Sequence, residues 1–318
     1  MQKNLKTIVL ICLSLIPFLA WFVSDGRFLE LSTDFGSSGL FFPFITGKNF
    51  GFRLLVEIAF VTWAFLAIRF PEYRPKVSKL LIAYSTFIVI LFIADIFGVN
   101  PERSLLSNFE RMEGFVTHLH LYIYFVMFTS VVRTATDWDK ILKIFLSSNV
   151  VVLLWGYFQL FGSPTFIFAK IAPSVTAFFS SRFPIHMSGN RLDSTIGNSA
   201  YFAIYTAVFV FITALLYVRE QRKGWKNFYI VMVVLNLIAL FYTGTRGTQL
   251  GIGVGALVAL CAFVFSFAKH KKIVTFISVL PLVAIVSALI NPTLLNYLYQ
   301  GATLYLVVVA VCAVFVSR

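Results

Sequence analysis

Three arginines, Arg111, Arg191 and Arg246, stand where a charge has to be explained. Arg246 lies in Tyr242-Thr243-Gly244-Thr245-Arg246-Gly247, a turn with almost no loop between two apolar runs. A guanidinium there lies at or just below a membrane surface, where charge is costly and usually faces a cavity or a partner. The competing account is a structural ion pair with Asp193 or Glu113. Arg191 lies in Gly189-Asn190-Arg191-Leu192-Asp193-Ser194-Thr195-Ile196-Gly197-Asn198, a polar run that enters an apolar stretch directly. Open N–H groups at a helix start, with an arginine nearby, make an anion site. Simple capping by Asn198 or Ser199 explains the same residues without a ligand. Arg111 belongs to the stretch from Asn100 to Gly114, which mixes acids, arginines and amides and suits a headgroup, a sugar or plain solvent.

Other side chains point less sharply. His118 and His120 lie in an apolar run and read as hydrogen-bonded core residues, while His186 neighbours Arg191 in sequence and could act as a general base. His270, among lysines, reads as solvated. Glu57 and Asp95 are acids within apolar runs, where a buried polar pair is expected before proton coupling. Gly247, Gly251 and Gly255 recur every four residues, a spacing that permits close helix packing. No phosphate-binding loop, nucleophile elbow, zinc-ligand spacing or paired carboxylates appear, so no metal or cofactor is expected.

The elements that must hold these residues follow from composition. Of 318 residues 59% are hydrophobic and 12% charged, against about 25% charged in an ordinary soluble domain. So few charges cannot cover that much apolar surface, and the natural solvent is a bilayer. Runs long enough for a spanning helix fall near 7–23, 51–68, 80–97, 116–132, 142–161, 199–217, 227–243, 248–267, 273–290 and 301–317. The expected fold is therefore all-α, a polytopic membrane protein of about ten transmembrane helices in one domain, 1–318, with no internal repeat. Residues 1–23 look like a signal peptide but lack a small-x-small cleavage site, and read as a first span.

With the N-terminus inside, Lys3, Lys6, Arg69, Arg74, Lys76, Lys79, Arg133, Lys140, Lys143, Arg219, Arg222, Lys223, Lys226, Lys269, Lys271, Lys272 and Arg318 all become cytoplasmic. That bias orients the chain with both termini cytoplasmic. It also accounts for the net charge of +13 without nucleic acid, since the basic residues form no continuous face. Nine basic residues stay outside: the three named first, with Arg27, Lys48, Arg53, Arg103, Lys170 and Arg182. Arg27, Lys48, Arg53 and Lys170 read as anchors reaching into lipid headgroups. Segments 24–50, 98–115 and 162–198 form the long outer loops, where function is expected. Cys12, Cys261 and Cys312 lie inside apolar runs and read as small core residues.

Three patches together resemble the O-antigen ligase and O-antigen polymerase family of bacterial membrane glycosyltransferases: SNFERMEG at 107–114, GNRLDSTIGNSAYFAIY at 189–205 and YTGTRGTQLGIGVG at 242–255. They cover roughly a third of the chain, and the Thr-Arg-Gly turn between two spans is the most characteristic element. The resemblance implies a bacterial inner-membrane enzyme of lipopolysaccharide and cell-envelope polysaccharide assembly. Such an enzyme moves a glycan from an undecaprenyl-diphosphate donor to a sugar, lipid A core or protein acceptor on the periplasmic face. It implies metal-independent, inverting transfer. By the same resemblance Arg191 and Arg246 hold the donor diphosphate and Arg111 supports them, the guanidinium forks offsetting charge that builds as the diphosphate leaves. One departure stands out: relatives carry a large outer loop with a histidine between two late spans, whereas the link from Asn291 to Gly301 is short and has none. Relatives also continue with further helices, so the chain reads as a shortened or inactive member, and no catalytic base is assigned. Two other classes stay open: a lipid-linked oligosaccharide flippase, which would need a cavity reachable from both sides, and a non-catalytic membrane subunit of polysaccharide assembly.

Overall fold

The structure, a computed structural model, describes residues 1–22, 44–108, 111–164, 167–182 and 191–255. Every regular element among them is helical. Helix α1 spans Gln2–Leu15 and tightens into a 3-10 helix over Ile16–Trp21. Then follow α2 (Thr46–Arg69), α3 (Lys79–Ile96), α4 (Pro101–Leu106), α5 (Phe115–Val131) and α6 (Ala135–Gly162). Two short helices, α7 (Ile167–Ile171) and α8 (Pro173–Arg182), precede a 3-10 turn at Ser194–Ile196. Helices α9 (Ser199–Arg219) and α10 (Lys223–Tyr242) come next, and residues 246–255 are helical as well.

Six of these segments, Gln2–Trp21, α2, α3, α6, α9 and α10, are long and apolar enough to cross a bilayer, the architecture of a multi-pass membrane protein. At 1.5 Å per residue even α3 reaches about 27 Å, close to the thickness of a hydrocarbon core. Helix α5 is apolar but shorter. The first seven apolar runs coincide with α1 and its extension, α2, α3, α5, α6, α9 and α10. The run 248–267 falls partly on the helical 246–255, while 273–290 and 301–317 lie outside the described residues. So does the C-terminus.

Helix ends depart from the apolar runs for a local reason. Thr134 Oγ1 accepts the N–H of Asp137 at 3.1 Å, and this cap starts α6 well before its apolar stretch. Asp137 in the first turn complements the positive end of the helix dipole. Ser78 and Asn100 cap α3 and α4 in the same way. Hydropathy registers greasy length, and a capped polar turn adds none.

Packing forms two layers that share α6. One cluster joins α6, α9 and α10 through Leu146, Leu153, Leu160, Phe202, Leu216 and Tyr229. The other joins α1, α2 and α5 through Val9, Leu13, Val56, Ala59 and Met127. Phe145 of α6 packs against both. Between α6 and α10, Asn149 and Asn236 exchange amide hydrogen bonds of 3.1 and 3.0 Å in full burial. The 3-10 extension of α1 is tied to α6, because Ser148 Oγ donates to the Pro17 carbonyl and Trp21 Nε1 donates to the Ser148 carbonyl. Among the described residues helix α3 packs chiefly against α5 and α4, and most of its apolar side chains are exposed.

The glycine series meets a described neighbour at its last member, Gly255. Among the described residues a Cβ at Gly247 or Gly251 would meet nothing within 4 Å, and one at Gly255 would stand 3.4 Å from the Phe211 ring. Small residues promote close approach only where a partner helix arrives.

Candidate functional site

The site is built at the end of the bundle where α2, α5 and α9 begin and α10 finishes. Helix α10 stops because Gly244 adopts a left-handed φ of +61°, a conformation that glycine enters without steric cost. Its last carbonyls are not left bare. Thr243 Oγ1 donates to the Leu240 carbonyl at 2.7 Å, and Gln249 Nε2 reaches back to the carbonyls of Leu240 and Phe241. An added Cβ at Gly244 would stand 3.5 Å from Arg191 Nε, an ordinary contact, so it is the left-handed φ and not space that calls for glycine here.

Arg191 grips this turn. Its Nε donates to the Thr243 carbonyl at 2.7 Å and its Nη2 to Thr245 Oγ1 at 2.8 Å. The Leu192 N–H donates to the Tyr242 carbonyl at 3.0 Å, and Thr245 Oγ1 donates to the Ser199 carbonyl at 3.3 Å. The segments carrying Arg191 and Arg246 are thus bonded to each other side chain to backbone and backbone to backbone. Arg191 remains exposed, with its Nη1 amino group outside both bonds. Arg246 follows Thr245 directly, opens the helical residues 246–255 and is exposed.

The segment after Arg191 is seated deep in the bundle. Leu192, Asp193, Ser194 and Thr195 are buried. Gln159 of α6 holds two of them, donating to Asp193 Oδ1 at 3.1 Å and accepting the Ser194 N–H at 2.8 Å. Ser194, at φ +53°, donates through its hydroxyl to the Val152 carbonyl, and Thr195 Oγ1 donates to the Ala20 carbonyl. Gly197, at φ +76°, faces the Phe44 ring so closely that a Cβ would overlap it. Asn198 Oδ1 accepts the N–H groups of Ala200 and Tyr201. The capping account of this helix start is therefore the one realised. Those two N–H groups are turned to Asn198 and are not open to an anion.

Arg111 joins the same end by another route. Asn49 donates to its carbonyl, Asn108 Oδ1 accepts its N–H, and its Nη1 lies 3.8 Å from Glu113. Lys48, beside Asn49, donates to the Thr195 carbonyl. The first turns of α2 thereby connect the Arg111 segment to the Arg191 segment. Arg53 donates to the Met112 carbonyl at 2.9 Å and to Thr117 Oγ1 at 2.7 Å. Lys48 and Arg53 accordingly bond to protein carbonyls and a hydroxyl, which corrects their reading as headgroup anchors. Their helix starts at Thr46, earlier than the apolar run, so both project from an ordered element with backbone acceptors in reach.

His120 is buried and bonded as expected, and Glu57 pairs with it at 3.2 Å. The Glu57 side chain is nevertheless 63% exposed, so the pair is buried only on its histidine side. His186 and His270 lie outside the described residues. Among the described residues no three His, Cys, Asp or Glu side chains gather as a metal would require. Gln159 and Asn49 are the residues that sequence reasoning missed, and Lys48 was singled out there only as an anchor. A glutamine near the end of a long apolar run was the one available sign for the first, since a buried amide needs partners.

Comparison of the chain with protein-family models, with curated proteins and with solved structures finds no match.

Proposed function

We propose that the protein is a glycan transferase of the O-antigen ligase and polymerase type, working at the periplasmic face of a bacterial inner membrane. Its donor is an undecaprenyl-diphosphate-linked glycan, and its acceptor is a sugar or lipid A core hydroxyl. The acceptor oxygen attacks the anomeric carbon as the bond to the diphosphate breaks, with inversion, and the hydroxyl proton leaves to a base. The observation that carries this reading is the bonding of Arg191 to Thr243 and Thr245 beside Arg246, which supports one anion site made from two distant segments. Arg191 and Arg246 then hold the diphosphate and Arg111 supports them. A guanidinium fixed beforehand by two hydrogen bonds loses little freedom when a phosphate arrives, and it offsets the growing leaving-group charge without reorganising.

The test is binding of a polyprenyl diphosphate to the purified full chain in detergent. Arg191→Ala and Arg246→Ala are each expected to weaken it by roughly ten- to a hundredfold, the range of one charge-assisted hydrogen-bonded contact. Binding curves that coincide with wild type would remove the reading. Transfer of labelled glycan to a hydroxyl acceptor in proteoliposomes then separates a transferase from a protein that only binds or moves the lipid.

A further inference from the structure

Helix α2 carries Asn49, Arg53 and Glu57 at four-residue spacing, on one face. The face lies against the segment 111–120. Asn49 reaches the Arg111 carbonyl, Arg53 reaches Met112 and Thr117, and Glu57 Oε1 lies 3.2 Å from His120 Nε2. The ladder descends from the arginine-bearing end into a pair of mostly apolar helices.

The histidine at its foot has an unusual set of neighbours. His120 Nδ1 lies 2.6 Å from the Val116 carbonyl while Nε2 faces the carboxylate. A carbonyl oxygen carries no hydrogen, so Nδ1 must donate. A neutral imidazole has then no hydrogen left for Nε2, whose lone pair would oppose that of the carboxylate. One more proton, on Nε2 or on the carboxyl, turns this contact into a hydrogen bond. We propose that Glu57 and His120 form a proton-binding site, holding one proton between Oε1 and Nε2.

A second observation points the same way. Glu57 is 63% exposed, on the outward stripe that α2 forms with Leu54, Ile58 and Val61, all of them exposed apolar residues. A bare carboxylate on such a stripe of a spanning helix is costly, whereas the protonated pair is neutral overall. Arg53, one turn away on the same helix, interacts with the Glu57 carboxylate and opposes its neutralisation, so the proton has to be held by the pair and not by Glu57 alone. Lys3, Lys6 and Cys12 on α1, Lys79, Tyr84 and Asp95 on α3, Glu102 and Arg103 on α4, and His118, Tyr122 and Tyr124 on α5 are the other titratable groups of those four helices. Among the described residues neither Glu57 nor His120 has a further hydrogen-bond partner. The ligand is a proton, and its release leaves one net negative charge on the Glu57–His120 pair, with the Arg53 guanidinium one turn away. This site stands whether or not the transferase reading does.

The test uses the full chain in lipid nanodiscs with 15N-labelled histidine, over about pH 5 to 8, where histidine titration is observed. The His120 ring signals are assigned by their loss in His120→Gln. At neutral pH the proposal expects one of two patterns. The ring is doubly protonated, or it is singly protonated with a protonated-carboxyl infrared band that disappears in Glu57→Gln. In either case Glu57→Gln must alter the His120 titration. A singly protonated ring beside an ionised Glu57 across the whole range overturns the proposal, as does a titration unchanged by Glu57→Gln. Should either variant fail to fold, unmodified protein is treated with a hydrophobic carbodiimide. A protonated carboxyl adds across one C=N bond and rearranges to an N-acylurea that keeps all atoms of the reagent. An adduct at Glu57 that declines with rising pH supports the site, and no adduct at the acid end overturns it.

Discussion

Arg191 contributes geometry before it contributes charge, because two of its three nitrogens are already committed to the turn after α10. Arg191→Lys keeps the charge but cannot bridge Thr243 and Thr245 as a rigid fork does. It is expected to lose most of the polyprenyl-diphosphate affinity that Arg191→Ala loses. Thr245→Val removes one partner and leaves every charge in place, so a smaller loss of binding is expected, with about 1 kcal/mol of stability. Titration calorimetry or native mass spectrometry on both variants reads the difference. Glycines provide a control on backbone geometry. Gly197→Ala forces a side chain into the left-handed region, about 1 to 2 kcal/mol, and into the Phe44 ring besides, so thermal stability in detergent should fall clearly. Gly224→Ala, with nothing within 4 Å of the new Cβ, should hold or raise it. Equal melting of the two variants would contradict the structure at Gly197.

Elements are held by polar links that hydropathy does not register. The Asn149–Asn236 exchange is the clearest, joining α6 to α10 with no water-facing atom. Asn149→Leu and Asn236→Leu should each cost about 1 to 3 kcal/mol, since each strands a buried amide. The double variant should cost less than their sum, which a double-mutant cycle in an unfolding titration measures. Additive losses would mean the two amides do not depend on each other. The positions of α2, α3, α5, α9 and α10 were legible from apolar length. The early starts of α2 and α6 were not, and neither was the inward use of Lys48 and Arg53. A basic residue near a helix end looks the same in sequence whether it meets a lipid phosphate or a carbonyl of its own chain.

For the whole molecule, the two ends differ in kind. At the end opposite the arginine site, Arg219 pairs with Asp139 at 2.9 Å, Lys143 with Glu220 at 3.4 Å and Lys6 with Asp137 at 3.7 Å. Glu220 has its carboxyl pushed down to about 2, chiefly by the hydrogen bond from the Arg222 side chain. Its contribution is therefore complete above its ordinary value of 4.5 and is lost as pH falls from there through about 2. Glu220→Gln should flatten that part of an acid-unfolding curve and leave the neutral region alone. Orientation is testable with two exposed positions that flank α3, Val77 and Val99. With the cysteines replaced elsewhere, Val99→Cys should react with a membrane-impermeant maleimide on intact cells. Val77→Cys should react only after permeabilisation, and the reverse pattern would invert the proposed topology.

Amino-acid order alone makes the chain helical and builds it from bilayer-length apolar segments. Those properties depend on local composition summed over about twenty residues, and no distant contact can undo them. It also singled out Arg191 and the Tyr242–Gly247 turn as places where charge and glycine interrupt that pattern. Tertiary structure alone decided that the two places are one. A hydrogen bond between residues some fifty positions apart leaves no trace in the composition of either segment. The same holds for Glu57 and His120. Each is a lone polar residue in an apolar run, and the proton-binding arrangement exists only because α2 and α5 pack with those faces together.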